Sequence, residues 1–179
     1  TRLARIYFAR TEYLEARSAI SRAIALNQQE ADYFDRLGWT LYKMHLYEDA
    51  QLAYGKALAL HPDSAGYHHR LGTVLAACGK TGEAEKAFRR AAHLDPACVH
   101  AHASLARLTR NHPDEDVRRL ETLLRAGECS DEDRIPLYFG LGKIYDDLND
   151  YEKAFDCFSS GNTLKNQPSS ERYDLQGRK

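Results

Sequence analysis

The sequence predicts an all-α fold, a solenoid of antiparallel helix pairs, and three observations carry that prediction. Shifted by 34 residues, the chain falls on itself: a large apolar residue followed by a small one recurs as Leu3-Ala4, Leu37-Gly38, Leu71-Gly72 and Leu105-Ala106. Alanines recur in the same register as Ala16, Ala50 and Ala84, and as Ala23, Ala57 and Ala91, with Ile20, Tyr54 and Phe88 between them. Phe34, Leu37 and Leu41 stand at three- and four-residue spacing, the stripe of an amphipathic helix. A period of this length marks a unit that cannot bury its apolar face alone and completes its core by stacking on neighbours.

The elements follow in order. The first unit, about residues 1–30, is truncated; the register places its inter-helix turn at Thr11 to Ala16. Units 31–64 and 65–98 are regular and close on Pro62 and Pro96. Gly38 and Gly72 lie on the apolar stripe, where the missing side chain lets the paired helix approach. A mid-helix glycine costs about 0.5–1 kcal/mol relative to alanine, so close packing must offset it. The turns of these units fall at His45 to Ala50 and Gly79 to Ala84, with Gly79 as a left-handed helix stop. Unit 99–134 keeps His102, Leu105 and Ala106 but has Arg118, Thr122 and Arg125 where alanines are due, and it carries two extra residues. There a polar turn, Asn111 to Asp116, leads into a helix with Val117, Leu120 and Leu124 on its apolar face, and Gly127 is expected to stop it. Ser130 or Asp133 caps the next helix. Pro136 is tolerated only in about the first turn, which places the start near Asp133. Unit 135–168 carries Leu141-Gly142, Tyr145, Ala154, Phe158 and Gly161, offset by 36, and residues 169–179 are a polar tail, a capping-helix start or a linker.

With these motifs the chain resembles the tetratricopeptide-repeat family over residues 1–168. The resemblance implies a right-handed superhelix whose first helices line a concave binding face, and a function in protein–protein interaction. The stretch from Asp114 to Lys165 is also similar to the region preceding the catalytic domain of bacterial repeat-linked sulfotransferases, through LYFGLGKIYDDLNDYEKAF and GNTLK. That similarity implies a second reading, the regulatory or substrate-presenting arm of a larger transferase. A third is a stand-alone secretion-type chaperone built of repeats. The strand and glycine-rich loop that would hold a phosphosulfate donor do not occur in this sequence.

Composition narrows the function further. Hydrophobic residues make up 43% and charged ones 28%, which excludes a disordered chain, and a net charge of −1 gives no global affinity for nucleic acid. The apolar runs fall short of the ~20 residues that cross a bilayer, so no membrane partner is expected. The N-terminal stretch is Arg-rich and amphipathic, but Glu12 and Glu15 argue against a transit peptide. Four cysteines without a C-x-x-C spacing read as thiols of a reducing, cytoplasmic compartment. Gly79-Lys80-Thr81 mimics the end of a phosphate-binding loop, yet Val74 stands where the first glycine belongs and no strand precedes it. His68, His69, His100 and His102 lie on neighbouring first helices without the pair spacing of a zinc site. No catalytic constellation, metal or cofactor is expected.

The candidate binding residues lie on the first helices, opposite the packing stripe. They are Arg5, Arg36, Trp39, Tyr42, Arg70, Arg107, Arg110 and Lys143. Arginines can hold carboxylates bidentately, and Trp39 offers a flat anchor, so the expected ligand is a protein or peptide of acidic character. The competing reading pairs these cations with local acids, Asp32 with Arg36 for instance, on a solvated face. The carboxylate clamp by which some family members hold heat-shock chaperones maps onto Asp35, Trp39, Arg70, His100 and Ser104. Only Arg70 fits it and Asp35 would repel a carboxylate, so that partner is not expected. An uncapped end repeat also invites self-association.

Overall fold

A computed structural model describes residues 2–126 and 129–167, the side chains of residues 2–11 excepted; Gly127 and the tail at 169–179 lie outside the described residues. All regular structure among the described residues is helical. The helices are α1 (Arg2–Leu26), α2 (Ala31–Lys43), α3 (Tyr47–Leu60), α4 (Ala65–Ala77), α5 (Thr81–Leu94), α6 (Val99–Leu108), α7 (Asp114–Arg125), α8 (Asp131–Asp147) and α9 (Tyr151–Asn166). They fall into two compact units, Thr1–Asp95 and Pro96–Lys179.

In the first unit α2 pairs with α3 and α4 with α5, while α1 packs on α2. Small residues set the pairing. A Cβ on Gly38 would come within 2.8 Å of the Tyr54 ring, and one on Gly72 within 2.7 Å of the Phe88 ring. Tyr54 is fully buried in a cluster with Leu41, Ala50, Ala53 and Val74, the last supplied by α4.

The turns inside the pairs are left-handed helix stops. His45 and Gly79 have φ of 61° and 76°. The next amides, of Leu46 and Lys80, reach back to the carbonyls of Leu41 and Leu75 at 2.9 Å, satisfying the helix ends. Lys80 and Thr81 therefore sit in an inter-helix turn. The register puts Thr11 at the same place one period earlier, but α1 runs through it without a break. Threonine is β-branched and enters the left-handed region only at a steric cost. Without that residue the helix has no reason to stop, which corrects the expected turn at Thr11 to Ala16.

In the second unit α8 packs on both α9 and α6, and α7 lies against α6 and α8. Leu120 is buried, with Val117 and Leu124 against the same cluster, as the apolar spacing of α7 predicts. Asn149, with φ of 61°, makes the left-handed stop between α8 and α9, and Gly142 lies under the Phe158 ring as Gly38 lies under Tyr54. Between α6 and α7 the chain does otherwise, because Pro113 occupies the corresponding place with φ of −64°. Helix α8 begins at Asp131, two residues before the start that Pro136 suggested. Ser130 accepts a bond from the Asp133 amide at 3.1 Å, and Asp131, Glu132 and Asp133 face the positive end of the helix dipole. Pro136 thus lies beyond the first turn and leaves the Glu132 carbonyl without its helical donor, at an exposed residue that water can serve.

Candidate functional site

In the first unit the exposed face of α2 carries an aromatic platform. Trp39 is 44% exposed and stacks on Tyr42 with ring centres 5.5 Å apart and planes 21° from parallel. Lys43 holds its ammonium 4.4 Å from the centre of the Trp39 ring, within cation–π range. Tyr42 continues the row to Tyr47 at 5.8 Å, and the Tyr47 hydroxyl bonds the His45 ring at 2.7 Å. Two of the predicted residues, Trp39 and Tyr42, are therefore joined, with exposed Arg36 on the same helix. Tyr47 and His45 were missed because they belong to the turn and to α3. Their only sequence signal is the large ring of Tyr47 where the next repeat has Thr81.

The local acids do not pair as the i,i+4 spacing suggested. Asp32 accepts from the Tyr67 hydroxyl of α4 at 2.6 Å rather than holding Arg36. Asp35 holds Arg70, also on α4. Both bonds span 35 residues and tie one first helix to the next, so Arg70 serves the packing of α2 on α4 while 44% of its side chain stays exposed. Burial raises the Asp35 carboxyl above its usual value, against the opposing pull of Arg70. Its second oxygen and the Tyr54 hydroxyl are buried without hydrogen bonds. Burial also raises the Tyr54 phenol, and with Asp32 it pushes Tyr67 up to about 12. Arg5 lies on α1, and its side chain is outside the described residues.

In the second unit Arg107 of α6 and Lys143 of α8 come together. With Ile135, Pro136, Phe139, Phe158 and Lys165 they line an open groove of about 550 Å³. Phe139 and Phe158 form its apolar floor, with ring centres 6.2 Å apart. Lys143 also pairs with Asp147 on its own helix, and the His112 ring, wholly buried, bonds the other oxygen of that carboxylate at 2.9 Å. Lys143 and then His112 hold Asp147 below the usual carboxylate range. Arg110, beyond the end of α6, is exposed and is not part of the groove lining.

Two of the first-helix histidines anchor loops. His68 donates to the Pro62 carbonyl at 2.8 Å and His102 to the Pro96 carbonyl at 3.1 Å. Among the described residues no group of three His, Cys, Asp or Glu could hold a metal, and no helix is long and apolar enough to cross a membrane. The four cysteines are half-buried and form no disulfide among the described residues, and the Cys129 thiol donates to the Leu123 carbonyl at 3.3 Å.

Two profiles of the tetratricopeptide repeat match residues 36–98 and 135–167. No curated protein sequence matches the chain. Among solved structures, MamA is 18% identical over 92% of this chain and 94% of its own, with a TM-score of 0.65. YrrB, described as a repeat protein with an unusual peptide-binding site, is 17% identical over 98% and 89%, with a TM-score of 0.61. An O-GlcNAc transferase from Thermobaculum terrenum is 24% identical over 64% of this chain but only 23% of its own, with a TM-score of 0.57. These likenesses share the all-α fold of paired helices.

Proposed function

The chain belongs to the tetratricopeptide-repeat family, and from that premise we propose that it is a non-catalytic scaffold holding a peptide or partner domain on the exposed face of α2. The observation that carries this reading is the platform of Trp39 on Tyr42, capped by Lys43. A tryptophan left 44% exposed in a stacked, cation-bearing surface is the kind of anchor that dominates interfaces. Arg36 and Lys43 beside it favour a ligand with carboxylates flanking an apolar side chain. The peptide-binding site described for YrrB supports a peptide as the ligand class. Four cysteines outside any disulfide fit a reducing, cytoplasmic setting.

The test is a double variant, Trp39→Ala with Arg36→Ala, immobilised beside the parent chain in lysate with captured proteins quantified by mass. We expect the parent's specific partners to fall by at least about tenfold while helical content and melting stay unchanged, since both side chains are exposed. Unchanged capture would overturn the reading; a melted variant would show that the platform is structural.

A second reading rests on the transferase likeness: the repeats form one arm of a larger transferase. An immunoblot of the natural polypeptide tests it. A band well above the 20.3 kDa of this chain supports the arm, and a band at that mass excludes it.

A further inference from the structure

The groove of the second unit stands where the first unit seats α4. Pro136, Phe139 and Phe158 occupy the repeat places of Asp32, Asp35 and Tyr54, 104 residues earlier. In the first unit those three places meet α4: Asp32 accepts from Tyr67, Asp35 holds Arg70, and Tyr54 is buried in a cluster that Val74 and Leu71 complete. In the second unit Phe158 packs on Gly142 as Tyr54 packs on Gly38, yet it stays partly exposed and opens with Phe139 onto the groove. Carried forward by the same 104 residues, α4 falls on the chain that follows α9. Helix α9 ends at Asn166, and Gln167 leaves it with extended backbone, φ −64° and ψ 134°, where the first unit turns from α3 toward α4.

The residues that arrive in this register suit the seat. Leu175 stands at the place of Leu71, which packs against the Tyr54 cluster, and so arrives over Phe158. Glu171 and Asp174 stand at the places of Tyr67 and Arg70. The acids have changed sides. In the first unit α2 carries them, whereas the groove carries Arg107, Lys143 and Lys165 and no acid among its lining residues. Beyond Leu175 the likeness ends, because Arg178 takes the place of buried Val74. We propose that residues 169–175 of this chain seat in the groove as a short helix, as α4 seats on α2, with Leu175 on Phe158 and both acids turned toward the cationic rim. Tethering favours this segment over a foreign helix, since a short link to α9 supplies it at an effective concentration on the order of millimolar. A second copy presenting α4 would bring Arg70 onto Phe139, away from the carboxylate it holds. The chain thus closes its own groove, Arg107 serves that closure, and ligand capture is left to the α2 face.

The test is amide hydrogen exchange read by NMR on the full chain, beside a synthetic peptide of residues 167–179. We expect the amides of residues 171–175 to exchange at least about tenfold more slowly in the chain than in the peptide. The Leu175 methyl protons should show nuclear Overhauser contacts to the Phe158 ring. Leu175→Asp, which changes the tail alone, should return exchange to the peptide's rate. Glu171→Lys with Asp174→Lys should speed it by at least about threefold, since the cationic rim then repels the segment. Exchange in the parent chain equal to the peptide's overturns the proposal and leaves the groove to a partner. Protection that survives either variant, or that comes without contact to Phe158, means a helix lying elsewhere and overturns it too. Protection that grows with protein concentration, alongside a dimer in sedimentation, assigns the groove to a second copy's tail and overturns it equally.

Discussion

Gly79 and Pro113 stand at the same place in the repeat register, one in each unit, and they join their helices by different physics. At Gly79 the backbone alone makes the stop: φ of 76° turns the chain, and the Gly79 and Lys80 amides satisfy the last carbonyls of α4 at 3.0 and 2.9 Å. Pro113 can adopt no positive φ and has no amide to give. There α6 ends after 10 residues, against 13 for α4, and side chains take over. The buried His112 ring reaches across to Asp147 of α8, and Thr109 bonds back to the Leu105 carbonyl at 3.0 Å. One register position thus decides whether a helix pair closes through its own backbone or through a buried side chain. Thr11, which can take neither role, leaves α1 unbroken.

The comparison breaks most visibly if the proline is moved. Gly79→Pro forces φ from 76° to near −65° and deletes the amide that bonds Ala76, so the first unit should lose at least about 3 kcal/mol in urea unfolding. A loss under about 1 kcal/mol would mean that the left-handed stop is not what closes α4 on α5. In the second unit the corresponding blow falls on the side chain. His112→Ala removes a buried ring and one of the two partners of Asp147, which should cost about 2–3 kcal/mol. His45→Ala, at an exposed left-handed turn residue of the first unit, should cost no more than about 1–2 kcal/mol on the same assay.

These differences explain which features the sequence disclosed. The all-α repeat fold was legible because a glycine under an aromatic ring leaves a fixed trace: Gly38 with Tyr54, Gly72 with Phe88 and Gly142 with Phe158 recur at one spacing. The uninterrupted α1 was hidden because the register counts positions and ignores which residues tolerate positive φ. Pro136 points to a start of α8 two residues late, because the Ser130 cap and the acids of the first turn outweigh the proline. Of the candidate site, Trp39 with Tyr42 and Arg107 with Lys143 were legible as residues on first helices. Tyr47, Phe158 and Lys165 were not, since they arrive from second helices. The engagement of Arg70 by Asp35 is likewise a bond between repeats, which i,i+4 reasoning cannot see.

Acid sharpens the contrast, because the two units hold one aspartate each in opposite senses. Lys143 and His112 favour ionised Asp147, so its folded pKa lies below the unfolded 3.8. The stability it contributes is present above pH 3.8 and is lost as pH falls through the lower folded value. Burial disfavours ionised Asp35, so its folded pKa lies above 3.8. The cost of its charge is present at neutral pH and is relieved as pH falls through the raised value toward 3.8. Asp147→Asn should therefore flatten the acid destabilisation measured by urea unfolding below pH 4, and Asp35→Asn should steepen the net loss on acidification by removing the compensating gain. Parallel profiles for both variants would place the acid response elsewhere.

The smallest expected effect is the reverse exchange, Pro113→Gly. A glycine there restores a residue able to take positive φ, yet α6 is already ended and the chain is already held by His112 on Asp147. The substitution should act through the unfolded chain, which glycine loosens, and cost about 0.4–1 kcal/mol. Combined with His112→Ala the outcome is more informative than either change alone. If the left-handed stop and the buried histidine are alternative closures of one turn, the glycine should recover part of what the histidine loss removes, and the double variant will melt above His112→Ala alone. Strict additivity of the two losses would instead mean that α6 ends where it does because of its packing on α8, and that Pro113 follows from that end rather than setting it.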